Sequence, residues 1–288
     1  MKSSNSSSQS LVSAHDRLNP WYCKHIVSGL EKRDSEPEIQ LLAWFTIRAC
    51  RIAQGCDFLN RGKPQMYGDF GDLALTLLRV SVENFANSAY IYGYIRKLGS
   101  SEYDEAVTRF LGYGDIQLLK LANVGKDIMG QEFVDRMRRS GDFDERIKEL
   151  KAKEQKFMDD YYGGRKPPSM AGTDLDLTSR LKKVKQANLE YLDSKSIDLA
   201  IAYLPELNSK IHSDAYCSRT TIALDEKQMR ESRRLEGEQA VGISTLLSIN
   251  CFRIAADVLG LGDKLKDQED LEFERAQCFE WAGAYERR

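Results

Sequence analysis

Proline is scarce in this chain. Its six prolines stand at 20, 37, 64, 167, 168 and 205, and none falls between 65 and 166. Proline breaks helices and crowds the turns of β-folds, and strand-like alternation is also rare, so the sequence predicts an all-α fold. Long apolar runs are missing as well. None reaches the roughly 18–20 residues that span a membrane. The opening MKSSNSSSQSLVSAHD has no apolar stretch of the signal-peptide kind. The expectation is a cytoplasmic protein that makes no use of a membrane.

The six cysteines, at 23, 50, 56, 217, 251 and 278, include no C-x-x-C pair and no Cys/His cluster at ligand spacing. Cys50 and Cys251 lie inside apolar helical patterns and read as buried free thiols in a reducing compartment. The three histidines form no E-x-x-H, which counts against a ferritin-like di-iron centre. GxxxxGK[ST], GxGxxG, HExxH and GxSxG are also absent, so neither a metal nor an organic cofactor is expected. With 42 basic and 44 acidic side chains the formal charge is −2. There is no broad basic field, and contact with nucleic acid would need a local patch.

What is present is helical periodicity. Ser35 and Glu38 give a capping-box pattern before a helix over about 36–60, and RGKPQMYGDFGD reads as a loop. The segment 71–98 is apolar on nearly every side, which predicts a central buried helix. A helix over about 102–126 carries Gly112 and Gly114, which are expected to break it in two. Residues 131–162 read as a long charged helix closed by the GGRKPP turn, either projecting from the core or forming an antiparallel arm, and able to recruit a protein partner. Helices follow over about 176–192 and 196–216, then a polar, irregular stretch at 220–234, an apolar helix over 236–260 and an amphipathic one over 263–285. The layout expected is a disordered Ser-rich lead-in (1–18), one helical bundle domain (19–262, with the charged arm and turn at 131–168) and a C-terminal amphipathic helix (263–288).

Two patterns bear on chemistry. Thr76, Arg79, Glu83 and Asn87, at i, i+3, i+7 and i+11, form a polar line on the otherwise apolar helix. A buried Arg79–Glu83 pair has to be hydrogen-bonded, so the line is either an ion pair tying helices together or one wall of a polar pocket in the bundle. On the later helix, Asn208 and His212 flank an apolar stripe of Ile197, Ala200, Leu204, Leu207, Ile211 and Ala215. His212 is the one histidine deep in the helical body. It is either a packing residue or a titrating one. The basic run Arg180, Lys182, Lys183 and Lys185 is either a solvated face or a set of phosphate contacts, and Arg136, Arg138 and Arg139 carry the same two readings.

Taken together, LLRVSVENFANSAYIY and YLPELNSKIH, the latter after a KPP turn, resemble a bacterial family of all-helical proteins with no assigned function, over roughly residues 40–225. The second segment also resembles the signature of the HEPN superfamily, whose members are small helical bundles, many of them metal-independent ribonucleases of toxin–antitoxin and phage-defence systems. That signature is Arg, a polar residue, three residues and His. Asn208 and His212 match its polar and His positions, while Leu207 stands where the Arg belongs. The resemblance implies His212 as general acid or base on RNA, Asn208 as its orienter or a phosphate contact, and a dimer with the site at the subunit interface. Arg79, held by Glu83, is the candidate to replace the missing Arg. The alternative is a non-catalytic helical binding or scaffold protein whose Arg/Glu/His centre is structural.

Overall fold

The computed structural model describes residues 4–61, 71–139, 141–165, 172–211 and 225–276. Among them there is no β-strand, and the all-α expectation holds. The chain divides into two compact units, 1–94 with 177–288, and 95–176. The sequence marks no such division. The first boundary falls inside continuous helix, where no glycine or proline marks it.

The first unit is built around helices α3 (Pro37–Arg61), α4 (Gly71–Ser88) and α10 (Glu226–Val258), which pack on one another. α3 starts one residue later than its predicted box. Pro37 takes the first helical position, where a missing N–H costs nothing, and the Glu36 carbonyl accepts from Ile39 (2.9 Å) and Gln40 (3.0 Å). α4 is the central helix that its composition predicts, burying Leu75, Leu78, Val82, Phe85 and Ala86. It runs on through a π-helical turn, Ala89–Ile95. α10 presents Ala240, Ser244, Ser248 and Ala255 to the core, small side chains that let neighbouring backbones approach.

α10 begins about ten residues before its predicted start. Asp225 accepts from the Gln228 N–H (2.8 Å) while the Gln228 side chain accepts from Asp225 N–H (3.1 Å). This capping box, with Arg234 paired to Glu231 and Glu238, makes helix of a stretch that reads as irregular. By length and composition Arg230–Val258 is apolar enough to cross a membrane, but 78% of its most apolar window is buried in the fold, as in a core helix.

The Ser-rich lead-in is also helical. α1 (Ser4–Trp21) packs on α10 and on α11 (Gly262–Ala276). It buries Leu11, His15 and Leu18, and the following π-helical turn, Tyr22–Val27, stacks Tyr22 on Phe252 at 3.9 Å between ring centres. The helix α2 (Ser28–Glu31) leads to α3, while α8 (Leu177–Gln186) and α9 (Ser194–Ile211) pack on α4.

The second unit is a helical hairpin. After α5 (Arg96–Leu98), α6 (Ser100–Arg139) runs straight through Gly112 and Gly114 and breaks at Gly130, whose φ is +65°. Gly112 is needed for close approach rather than for a break, since a Cβ there would stand 2.9 Å from the Phe157 ring. α7 (Phe143–Tyr162) folds back on α6, so the predicted arm is half of a packed pair. Ile116 and Phe157 centre its core among Tyr113, Tyr161 and Tyr162. Arg109 lies over the Tyr161 and Tyr162 rings (5.4 and 5.3 Å) and bonds to Asp174 and the Tyr162 hydroxyl.

Candidate functional site: the outer edge of α4

The polar line on α4 lies at the edge of the helix, not in the bundle centre. Thr76 and Glu83 are exposed, the Arg79 side chain is 21% exposed, and only Asn87 is buried. α4 faces α3 and α10 with its apolar sides, and this edge is left for α8 and α9 to flank.

α9 supplies the polar partner. Its N-terminus is fixed by Asp193, whose carboxylate accepts from the N–H of Lys195 (3.1 Å) and of Ser196 (3.2 Å). The stripe Ile197, Ala200, Leu204 and Leu207 is buried, as the sequence predicts. Leu207 is fully buried, so the position where the HEPN signature carries Arg points into the core. Asn208, the next residue, is exposed. Arg79 Nε donates to its Oδ1 at 2.9 Å and Arg79 Nη1 donates to Glu83 Oε2 at 3.1 Å. Three of the four predicted site residues, Arg79, Glu83 and Asn208, therefore meet. His212 lies outside the described residues. An arginine has five N–H donors. Two of those of Arg79 are engaged, and its Nη2 has no partner among the described residues.

The basic run on α8 divides among several tasks. Arg180 donates to Asn87 Oδ1, one helical turn beyond Glu83. Lys183 is exposed, with Nζ 5.7 Å from the centre of the Tyr94 ring, and Tyr94 stacks on Tyr90 at 5.6 Å. Lys185 pairs with Asp198 of α9 at 2.5 Å, and Lys182 is exposed. On the second unit Arg136 pairs with Glu132 and Arg138 with Asp144, which favours the solvated-face reading there.

A second polar cluster, buried between α1, α10 and α11, escapes sequence reading. Arg253 binds Glu269 Oε2 through Nε (2.9 Å) and Nη2 (2.8 Å), the Glu269 side chain being 5% exposed. Glu272 accepts from Arg17 (2.7 Å) and Arg275 (2.9 Å). Burial raises the Glu269 carboxyl above its ordinary range despite Arg253. His15 Nε2 lies 3.1 Å from Ser248 Oγ, and burial lowers its pKa to about 4. The signal was the spacing Leu11, His15, Leu18, Tyr22, which follows directly on the Ser-rich opening.

Cys50 and Cys56 are pushed by burial to about 11 and Cys251 to about 12. All three are free thiols, as expected for these positions. Among the described residues no three His, Cys, Asp or Glu side chains are grouped to hold a metal. Compared with models of known protein families, with curated proteins and with solved structures, the chain matches none.

Proposed function

We propose that the α4–α9 edge is an RNA phosphodiester site of the HEPN-like kind, a metal-independent ribonuclease of defence or toxin type. The observation that carries this reading is the Arg79–Asn208 hydrogen bond. It brings a guanidinium to Asn208, the polar residue of the polar-x-x-x-His segment, in a chain whose own residue at the signature's Arg position is a buried leucine. Glu83 and Asn208 hold two donors, and Nη2 is left for a phosphate oxygen, the charge-assisted contact that stabilises a phosphorane-like transition state. His212, four residues beyond Asn208, takes the proton of the ribose 2′-hydroxyl. The 2′-oxygen bonds to phosphorus, the bond to the 5′-oxygen breaks, and that oxygen leaves with a proton from water. Self-association across the site and a cytoplasmic location belong to the same proposal.

The test is incubation of the full chain with total RNA, wild type against His212→Ala. Loss of one general acid–base group predicts a fall of about 10²–10⁴-fold in cleavage rate. Equal cleavage by the two proteins, or none by the wild type, overturns the proposal. One observation favours a second reading. Arg79 spans α4 and α9 and so could serve as a structural clasp in a binding protein. A clasp predicts that Arg79→Ala lowers stability in a protein without nuclease activity, and that deleting 131–162 removes a bound protein partner.

A further inference from the structure

α6 of the second unit carries two apolar faces. On one, Ile116 packs with Phe157 of α7. On the opposite side Leu111, Leu118 and Leu121 stand out from the surface, Leu118 being 50% and Leu121 67% exposed. At about 100° per residue these three and Gly114 fall within about 80° of arc. Their alternating spacing of three and four is the seam of a coiled coil. The seam also has a relief. Gly114 interrupts it, and no atom lies within 4 Å of the place its Cβ would take. This hollow sits one turn from the protruding Leu118.

Hollow and knob fit a second copy of the same helix. Turned about a two-fold axis so that the helices run antiparallel, Leu118 of each copy enters the Gly114 hollow of the other, and Leu111 of each meets Leu121 of the other. In such a pair the like flanks of the two helices meet. Asp104 and Lys126 lie on the same flank of the seam, and both are exposed. The alignment that seats Leu118 on Gly114 brings Asp104 of each copy within a turn of Lys126 of the other, so opposite charges close both ends. Asp115, on that flank near the axis, is already neutralised by Lys153 of α7 at 3.2 Å. A parallel pair would set Gly114 on Gly114, leaving the hollow empty, and Asp104 on Asp104.

We infer that α6 is a self-association surface on which two copies of the chain pair antiparallel through Leu111, Gly114, Leu118 and Leu121. It uses none of the residues of the α4–α9 edge and does not depend on the nuclease reading. The stretch from Asp104 to Lys126 is about 33 Å long. One helix pair of that length is a small interface, so a dissociation constant of about 10–100 µM is expected.

Sedimentation equilibrium of the full chain over about 5–300 µM brackets that value. Wild type is compared with Leu118→Glu, Gly114→Leu and Phe58→Glu, the last an exposed apolar residue of α3 that serves as control. Thermal melting checks that each variant folds. Leu118→Glu places a charge in the seam and should weaken association about tenfold or more. Gly114→Leu fills the hollow and should weaken it about fivefold or more, whereas mere stickiness of an apolar stripe predicts tighter association, because the stripe gains a leucine. Phe58→Glu should associate like the wild type. Carbodiimide coupling of mixed isotopically light and heavy chains, read by mass spectrometry, should join Lys126 of one copy to Asp104 of another. Along one helix the two are about 33 Å apart, so that link forms only between copies. A single-chain mass throughout, unchanged association in folded Leu118→Glu, tighter association in Gly114→Leu, an equal loss in Phe58→Glu, or absence of the Lys126–Asp104 link overturns the inference.

Discussion

Lowering the pH from 7 to 4 forces a proton onto His15, and the folded first unit should resist it. His15 is 2% exposed, its Nε2 lies against Ser248, and its pKa is about 4 where an ordinary histidine has 6.5. The unfolded chain therefore binds a proton through the window from 6.5 down to 4 and the folded chain does not. Stability from this depressed group is present above 6.5 and is lost as the pH falls toward 4. A gap of about 2.5 units at about 1.36 kcal/mol each makes the loss about 3 kcal/mol at pH 4. Glu269 works in the opposite sense. Its raised carboxyl gives stability that is complete below its unfolded value and lost as pH rises through the folded one. Comparison of wild type with His15→Gln at each pH cancels that contribution. Urea denaturation followed by tryptophan fluorescence is the assay, because Trp21 and Trp44 lie in the first unit and no tryptophan falls within 95–176. With a slope of about 3 kcal/mol per molar urea, the wild-type midpoint should fall by about 1 M more than that of the variant between pH 7 and 4. Parallel decline of the two proteins would show that His15 is not held neutral by burial, and the account of α1 as a sealed core helix would go with it.

Removing one member of the Arg253–Glu269 pair should be far worse than removing both. Arg253→Met leaves a carboxylate with 5% exposure unopposed, a loss of about 3–5 kcal/mol, whereas Arg253→Met with Glu269→Leu should recover most of it in the same urea assay. A double variant as unstable as the sum of the two singles contradicts this. Asp225→Ala removes one half of the α10 capping box and should lower unfolding stability by about 1 kcal/mol, with earlier hydrogen exchange confined to the first turns of α10.

Much of the fold is written locally. The apolar surround of α4 and the α9 stripe follow from spacing alone, since a buried helix face needs an apolar residue every three or four positions. α1 was hidden because its apolar positions begin only at Leu11, behind a Ser-rich opening, and the first three turns of α10 because its apolar face begins only near Ala240. The boundary near residue 95 is invisible because the helix crosses it without a breaker. The site shows the same division. Arg79 and Glu83 are four apart and their pairing is local, while Arg79 and Asn208 are 129 residues apart. Their meeting depends on α9 packing against α4. Which of the two readings of the polar line applies was left open for a related reason. A helix apolar on nearly every side still keeps one narrow edge, and a sequence does not say which neighbours leave it open. Arg253 and Glu269 look like ordinary surface charges until α11 folds over them.

The second unit interrupts the first in the order of synthesis. α3 and α4 leave the ribosome with the faces meant for α10 uncovered, and α10 follows α4 by roughly 140 residues. At about 5–20 residues per second that is a wait of roughly seven to thirty seconds, during which the α6–α7 hairpin emerges whole. A nascent chain stalled in that interval would hold one finished unit and one half-built unit with bare apolar helices. Chaperone binding to ribosome-bound chains should accordingly rise after α4 and fall once residues near 258 have emerged.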